Sequence, residues 1–457
     1  MIVMKFGGTS VEDARAIERS AGIVKGRLEH NPAVVVSAMA QVTDQLLAMA
    51  RAAGTGDRKT ALKLCRALQE RHYNTAGELL GTALFTQFHS DLGADFETLE
   101  ELLRGIAAVG ELTPRTTDYV SAFGEMLSSK IVAAAFSALG MDSALVDSRE
   151  WLVTDSAHMR AAPLFDETNQ RLQSQVAPLI AAGKVPVMGG FIGATKAGIT
   201  TTIGRGGSDY SAAIVGAGLS AERIEIWTDV DGMMTTDPRL CPEARRIKVI
   251  SFDEAAELAY FGAKVLHPAT VLPAVQKNIP VYVLNSRNRD CEGTKITARA
   301  PRCRNFFKAI AVKKRITIVD VAAPRMQLAH GFLSSIFAAF ERHRVAVDVV
   351  STSEVSVSLT VDSNESIPPL AADLAKLADV KYEGRKAIVC LVGENLRDTP
   401  GIAARVFGEL ADVKIRMISQ GASEINLTFV VEEDTVPEIV RRLHKTFFSD
   451  LDPEVFA

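Results

Sequence analysis

Short runs rich in apolar and β-branched residues recur along the first part of the chain: Ile2 to Phe6, Ala33 to Ser37, Ser143 to Asp147, Val185 to Met188, Ile224 to Thr228 and Ile279 to Leu284. Each is closed by glycine, serine, aspartate or asparagine, so each predicts a strand ending in a turn. Between them the apolar spacing becomes helical. Val11 to Leu28 reads as one helix. Asp44 to Leu139 reads as mostly helical, with Leu99, Leu102, Leu103 and Ile106 sharing a face. The small apolar run Ser211 to Leu219 predicts a buried helix, and another helix starts at Phe252. Strands alternating with helices predict an α/β domain with a mostly parallel sheet. Ile279 to Leu284 is its expected last strand, and the charged, turn-rich stretch Cys291 to Lys308 reads as a linker.

The tail has a different pattern. Gly331-Phe-Leu-Ser-Ser-Ile-Phe337 matches Gly401-Ile-Ala-Ala-Arg-Val-Phe407, and Ser353-Glu354-Val-Ser-Val matches Ser423-Glu424-Ile-Asn-Leu at the same offset. The unit is read as β-α-β-β, repeated, with a glycine starting each amphipathic helix. Two such units would pack their sheets together, and the loop before each helix would line a ligand cleft with the strand after it. No phosphate loop or basic cluster occurs there, which suits a regulatory role.

Charge and composition narrow the classes of function. Lys plus Arg total 51 against 55 for Asp plus Glu, a net charge of −4, so a nucleic-acid partner is not expected. The 47% hydrophobic share of 457 residues supports two or three folded cores. No apolar run is long enough for a membrane span. The start reads as a strand and not a leader, and the five scattered cysteines have no metal spacing, so a cytoplasmic protein with reduced thiols is expected. Gly216-Ala-Gly218-Leu-Ser-Ala221 imitates a dinucleotide fingerprint but follows a helix and precedes a strand, the reverse of what that motif requires.

The candidate chemistry sits in the loops. Thr200-Thr-Thr-Ile-Gly-Arg-Gly-Gly-Ser-Asp-Tyr210 reads as a strand-to-helix turn. Gly204, Gly206 and Gly207 allow sharp bending, and Ser208 and Asp209 fall at the N-terminus of the next helix, where free amides favour an anion. An arginine fork and a carboxylate beside those amides suit an anionic or zwitterionic small molecule; the plainer alternative is a tight turn in which Arg205 and Asp209 pair. Lys5 stands beside Gly7-Gly8-Thr9-Ser10, a compact cation next to open amides, which suits phosphate. Ser37 and Thr43 bracket the second loop and serve a ligand or cap a helix. Glu125, before a small-residue helix, binds an amine or is an exposed helix-start carboxylate. Thr228, Asp229 and Arg239 lie on a polar loop suited to a nucleotide, and Lys264 offers another cation.

Lys5-Phe-Gly-Gly-Thr-Ser-Val11, Phe123-Gly-Glu125, Gly204-Arg-Gly-Gly-Ser-Asp-Tyr210, Thr235-Thr-Asp-Pro-Arg239 and Phe261-Gly-Ala-Lys-Val-Leu-His-Pro268 together resemble the aspartate kinases. The repeat resembles their paired ACT domains, with Ser419-Gln-Gly-Ala-Ser-Glu-Ile-Asn426 especially similar, and the likeness runs through essentially the whole chain. It implies an amino-acid kinase fold over 1–290, a linker at 291–312, and ACT domains at 313–384 and 385–457, the C-terminal end free to pack back onto the first. The implied reaction is transfer of the ATP γ-phosphate to the β-carboxylate of L-aspartate, with Mg²⁺. Lys5 and Asp209 would be catalytic. Ser37, Thr43, Glu125, Arg205 and Ser208 would bind aspartate. Lys5, Gly7, Gly8, Thr9, Ser10, Thr228, Asp229, Arg239 and Lys264 would bind the nucleotide. Met326, Phe332, Leu333, Val347, Asp348, Thr352, Ser353 and Glu354 resemble the effector site of the lysine-sensitive branch, which implies lysine inhibition and a homo-oligomer, a dimer or tetramer, joined through the ACT domains. Two departures are Met234, where that branch commonly has tyrosine, and Ala329, where serine is frequent. A kinase of glutamate or a nucleotide would share the sheet without the paired tail. An inactive sensor would keep the tail and could lose Lys5 or Asp209, both of which are present.

Overall fold

The computed structural model describes residues 1–262, 268–322 and 331–457. Two compact units emerge, one of Met1–Gly232 with Val265–Arg299, the other of Met233–Lys264 with Ala300–Ala457.

In the first unit the predicted strands form one sheet. Its order is Ser143–Val146, Val185–Gly189, Pro32–Val36, Ile2–Phe6, Ile224–Thr228, Val281–Asn285, all parallel, then Thr294–Thr297 antiparallel. That last strand falls in the stretch expected to be linker; a short Thr-Lys-Ile-Thr run among turn residues gives little periodicity to read. The central strands are buried on both faces, as their unbroken apolar runs require. One core packs sheet residues such as Met4, Phe6 and Val34 against Ile17, Ile131 and Phe136 of the helices. A second lies among helices, where Leu46, Leu68, Leu99, Leu103 and Phe123 meet.

Helix boundaries differ from expectation in two places. The first helix spans Ala14–Lys25, not Val11 onward, because the Asp13 carboxylate caps it by accepting the Ala16 N–H at 2.8 Å. The helix carrying Glu125 spans Pro114–Ala138, started by a capping box of Thr113 and Thr116. Glu125 is therefore an interior, buried residue and not an exposed helix start. Gly124 does not mark a boundary. A Cβ there would lie 2.8 Å from that of Ala38, so glycine lets the helix approach the second strand's loop.

In the second unit both repeats join a single antiparallel sheet, edge to edge, instead of stacking two sheets. Its order is Val347–Thr352, Ser356–Asp362, Ala309–Ala322, Asp379–Val392, Asn426–Glu432, Met417–Gln420. The long strands Ala309–Ala322 and Asp379–Val392 pair at the centre, and the latter runs through the expected boundary at 384/385. Gly331 and Gly401 cap the helices Phe332–Arg342 and Ile402–Gly408 with φ of 86° and 74°, a conformation that favours glycine. Each copy also ends in a further helix, Ile367–Leu374 or Val436–Phe447, making it β-α-β-β-α.

Residues 233–262, expected in the catalytic domain, pack in this unit. The Ile310 N–H donates to the Thr235 carbonyl at 2.7 Å and the Lys248 N–H to that of Val455 at 2.7 Å. On the helix Phe252–Tyr260, Glu254 pairs with buried Lys308 at 2.9 Å, Glu257 accepts from Asn426 Nδ2 at 2.8 Å, and Tyr260 donates to Asp348 at 2.9 Å. No helix among the described residues is long and apolar enough to cross a membrane.

Candidate active site

The parallel register sets Lys5 beside Val35 and Ile226, so the loops after these strands open on one edge of the sheet. Ligands bind outside the carboxyl ends of such strands. There a cavity of about 690 Å³ is lined by Lys5, Gly8, Ser37, Thr43, Glu125, Arg205, Ser208 and Asp209 among others. The catalytic and substrate-binding candidates read from the sequence thus meet in one place.

The glycine turn follows the short strand Thr200–Thr202, with Gly204 and Gly206 at φ of 82° and 71°. Gly206 caps the helix Gly207–Gly218, whose first turn carries Ser208 and Asp209. A Cβ at Gly190 would meet Ser208 Cα at 2.6 Å, so glycine is needed for this turn to reach the strand end. Arg205 is exposed and has no carboxylate partner among the described residues. Asp209 pairs with Lys5 instead: Nζ and Oδ1 are 2.7 Å apart, an ion pair made without hydrogen-bond alignment.

Glu125 Oε1 accepts the Ala38 N–H at 3.1 Å, while buried Oε2 has no partner among the described residues. Burial raises its carboxyl to about 8, opposed by the Ala38 hydrogen bond and the Lys5 charge. A buried carboxylate oxygen without a donor, on a residue that lines a cavity, fits an incoming ammonium. Ser37 is anchored by its carbonyl, which accepts from Ser128 Oγ at 2.8 Å.

The nucleotide candidates separate. Gly8 lines the cavity, whereas the Gly7 N–H is spent on the Trp227 carbonyl at 2.9 Å. Ser10 is buried, its hydroxyl 2.8 Å from Ser286 Oγ, so it joins two strand ends and does not face a ligand. Thr9 is half-buried next to it. Thr228 ends its strand, and its carbonyl accepts the Ser286 N–H at 2.8 Å; exposed Asp229 follows. Arg239 belongs to the second unit, where it is exposed and forked onto Asp237, with Nη2 to Oδ2 at 2.7 Å. Lys264 lies outside the described residues, as do Met326 and Ala329. No group of three His, Cys, Asp or Glu side chains forms a metal site among the described residues.

Several lining residues were not singled out from the sequence, and four of them have distinctive features. Gln41, Met159 and Phe191 all have positive φ, of 68°, 68° and 65°, uncommon for such side chains and concentrated at this cavity. Asp118, 1% exposed, is the fourth. Sequence gives little warning of the first three, since none is glycine or asparagine. For Asp118 the available signal was its spacing from Glu125, two helical turns along one face.

In the second unit the effector candidates divide as well. Asp348 Oδ1 lies 2.7 Å from Lys313 Nζ and accepts from Tyr260, leaving its side chain 3% exposed. Burial opposes charging Lys313, but Asp348 and Asp362 together hold its ammonium above the ordinary value. Phe332 and Val347 pack on the first repeat's core, while Leu333, Thr352, Ser353 and Glu354 are exposed. Ser353 closes the hairpin to Ser356, its N–H donating to that carbonyl at 2.8 Å.

A parallel sheet with a strand-end lysine, a glycine turn and a helix N-terminus over one cavity defines the architecture of a small-molecule phosphotransferase. The profile of the Amino acid kinase family matches residues 1–285 and that of the ACT domain matches residues 389–447. "Aspartokinase 1, chloroplastic" from Arabidopsis thaliana is 37% identical, covering 98% of this chain and 80% of the relative. "Lysine-sensitive aspartokinase 3" from Escherichia coli is 36% identical, covering 98% and 99%. The crystal structure of E. coli aspartokinase III in complex with aspartate and ADP superposes with a TM-score of 0.85 at 35% identity, covering 98% of this chain and all of that one. The chain belongs to the amino acid kinase family and, within it, to the aspartokinases.

Proposed function

We propose that the protein transfers the γ-phosphoryl group of ATP to the β-carboxylate of L-aspartate, giving 4-phospho-L-aspartate, the first step toward lysine, threonine and methionine. The observation that carries this reading is the cavity itself, where the unpartnered Glu125 oxygen, unpaired Arg205 and partly buried Lys5 are spaced around one small volume. A zwitterion with a second carboxylate matches that set: Glu125 takes the ammonium, Arg205 the α-carboxylate, and the β-carboxylate is left toward Lys5. Ser37, Thr43 and Ser208 supply hydroxyls. The nucleophile is already ionised near neutral pH, so no strong base is required. Lys5 spreads the charge that builds on the transferring phosphoryl oxygens, and Asp209 holds Lys5 in place.

Gly8, Thr9, Thr228 and Asp229 would hold the nucleotide along the same strand edge. Mg²⁺ bound to the triphosphate would neutralise its oxygens, with Asp209 and Asp229 as the carboxylates available to its water shell. The protein would work in the cytoplasm as a homo-oligomer joined through the repeats. ADP formation followed with aspartate, glutamate and uridylate in turn tests the reaction. Turnover confined to aspartate supports it, and turnover of glutamate or uridylate alone would replace it.

Lysine is the proposed inhibitor, acting through higher affinity for the inactive arrangement. The similar E. coli aspartokinase III has been crystallised with lysine and aspartate, at a TM-score of 0.85 and 35% identity. Asp348 would take one amine of the ligand. Asp348→Ala is expected to weaken lysine inhibition by about 1–3 kcal/mol of coupling while leaving uninhibited kcat unchanged. A parent indifferent to lysine in a dose–response at fixed aspartate would reject the effector.

A further inference from the structure

We infer that Asp118 is a positioning residue for the substrate side of this site, holding the floor beneath the Arg205 turn; the inference rests on the proposed reaction. Asp118 and Glu125 lie on the same face of the helix Pro114–Ala138 and both line the cavity. Their oxygens are in opposite conditions. Glu125 keeps one oxygen without a partner among the described residues, whereas both Asp118 oxygens accept hydrogen bonds. Asp118 Oδ1 accepts the Thr202 hydroxyl at 2.6 Å and the Met159 N–H at 2.9 Å; Oδ2 lies 2.7 Å from His158 Nδ1 and 3.0 Å from the Met159 nitrogen. Facing a carboxylate, His158 Nδ1 is the donor. Both oxygens of this 1% exposed carboxylate already accept from the chain itself, so its role is exerted through the groups it holds.

Those groups lead to Arg205 along two routes. Thr202 ends the strand from which the glycine turn departs. Met159 supports the turn from below: a Cβ at Gly204 would meet the Met159 carbonyl oxygen at 3.3 Å. The two routes are tied together by the Ala161 N–H, which donates to the Thr202 carbonyl at 2.9 Å. Met159 holds φ of 68°, a left-handed conformation disfavoured for any residue with a side chain. Such a residue persists where its surroundings over-determine it, and the buried Asp118 carboxylate accepting its N–H is the group that does so. Without that acceptor the turn can relax to negative φ, and the backbone under Gly204 moves with it. The turn carrying Arg205, which is exposed and has no partner among the described residues, then loses the fixed backbone that a bidentate carboxylate contact needs.

Asp118→Asn tests this while nearly preserving shape. Its single carbonyl oxygen cannot serve all three donors, and its amide confronts one of them. The aspartate KM is expected to rise roughly tenfold or more, the scale of losing hydrogen bonds to a charged acceptor. The ATP KM should stay within about twofold, since a purely structural weakening would move both. Trypsin supplies a readout that needs no turnover: cleavage after exposed Arg160 and Arg205 should accelerate in the folded variant. His158→Ala, outside the cavity lining, should raise the aspartate KM by roughly threefold and add nothing to Asp118→Asn in the double variant. Parental aspartate KM and parental cleavage in Asp118→Asn, or equal rises in both KM values, would overturn the inference. If Asp118→Asn does not fold, a parental aspartate KM in His158→Ala overturns it. A parent that does not phosphorylate aspartate would instead reject the reaction, and the cleavage comparison would still decide the role of Asp118.

Discussion

Glu125 in the first unit and Asp348 in the second are both candidate partners for a ligand amine, and both are enclosed. Glu125 lines a cavity and ends in a buried oxygen with no donor among the described residues. Asp348 is already covered by the chain's own ammonium on Lys313 and by the Tyr260 hydroxyl. A ligand adds to the first site and must exchange at the second. The proposed substrate side is therefore preformed, while the proposed effector side has to be opened against an existing ion pair. A preformed site suits a reactant used on every turnover; a closed one sets a concentration threshold for a regulator.

The experiments that sharpen this contrast begin with the largest effect. Lys5→Ala should lower kcat by roughly a hundredfold or more, equivalent to ~3–4 kcal/mol of lost electrostatic stabilisation, with little change in Tm. A rate within about tenfold of the parent would remove Lys5 from the chemistry.

Arg205→Lys keeps the charge and loses the planar fork. The aspartate KM should rise about tenfold with the ATP KM nearly unchanged. The reverse pattern would put Arg205 on the nucleotide.

Glu125 gives a pH signature. Its carboxyl is raised from 4.5 to about 8 by burial, so in the free protein it is largely neutral where a substrate ammonium requires a carboxylate. The aspartate KM should increase as the pH falls below about 8, and Glu125→Gln should have a high, nearly pH-independent KM. Stability carries the corresponding sign. Between 4.5 and about 8 the folded chain retains a proton that the unfolded chain has released, so this group's contribution to stability falls as the pH rises through that window. Thermal melts of parent and Glu125→Gln without ligand should diverge toward alkaline pH, the variant being the more resistant. A parallel pair of curves would reject the raised carboxyl.

The smallest effect belongs to the closed side. Lys313→Met removes the internal competitor from Asp348, and the lysine concentration for half-inhibition should fall by roughly threefold to tenfold at unchanged kcat, about 1 kcal/mol of relieved competition. A higher concentration would mean that Lys313 holds the effector site together instead of closing it.

The strands of the first unit and the glycine turn were legible because each is written locally: apolar runs ending in turn residues, and three glycines beside Arg205 and Asp209. The association of Lys5 with Asp209 was not, since the two are brought together only by sheet register and the Gly207–Gly218 helix. Glu125 was misplaced at a helix start because a glycine beside it looks like punctuation, although that glycine lets the helix approach Ala38 in the loop after the second strand. Asp118 shows no motif at all; its importance arises from three donors distant in sequence. The same holds for residues 233–262, whose polar turn reads like a nucleotide loop but whose backbone is hydrogen-bonded to Ile310 and Val455.

The helix Phe252–Tyr260 holds Glu254, Glu257 and Tyr260 at three-residue intervals, each clasping a different strand or loop: Lys308, Asn426 and Asp348. A helix gripped at three points along one side is poorly suited to sliding by degrees, because any shift that frees one clasp strains the other two. Loss of Tyr260 from Asp348 unseats one end while Glu254 and Lys308, buried and paired, remain a fixed pivot. A change at Asp348 is thereby felt at one end of a helix whose other end is held by a buried ion pair.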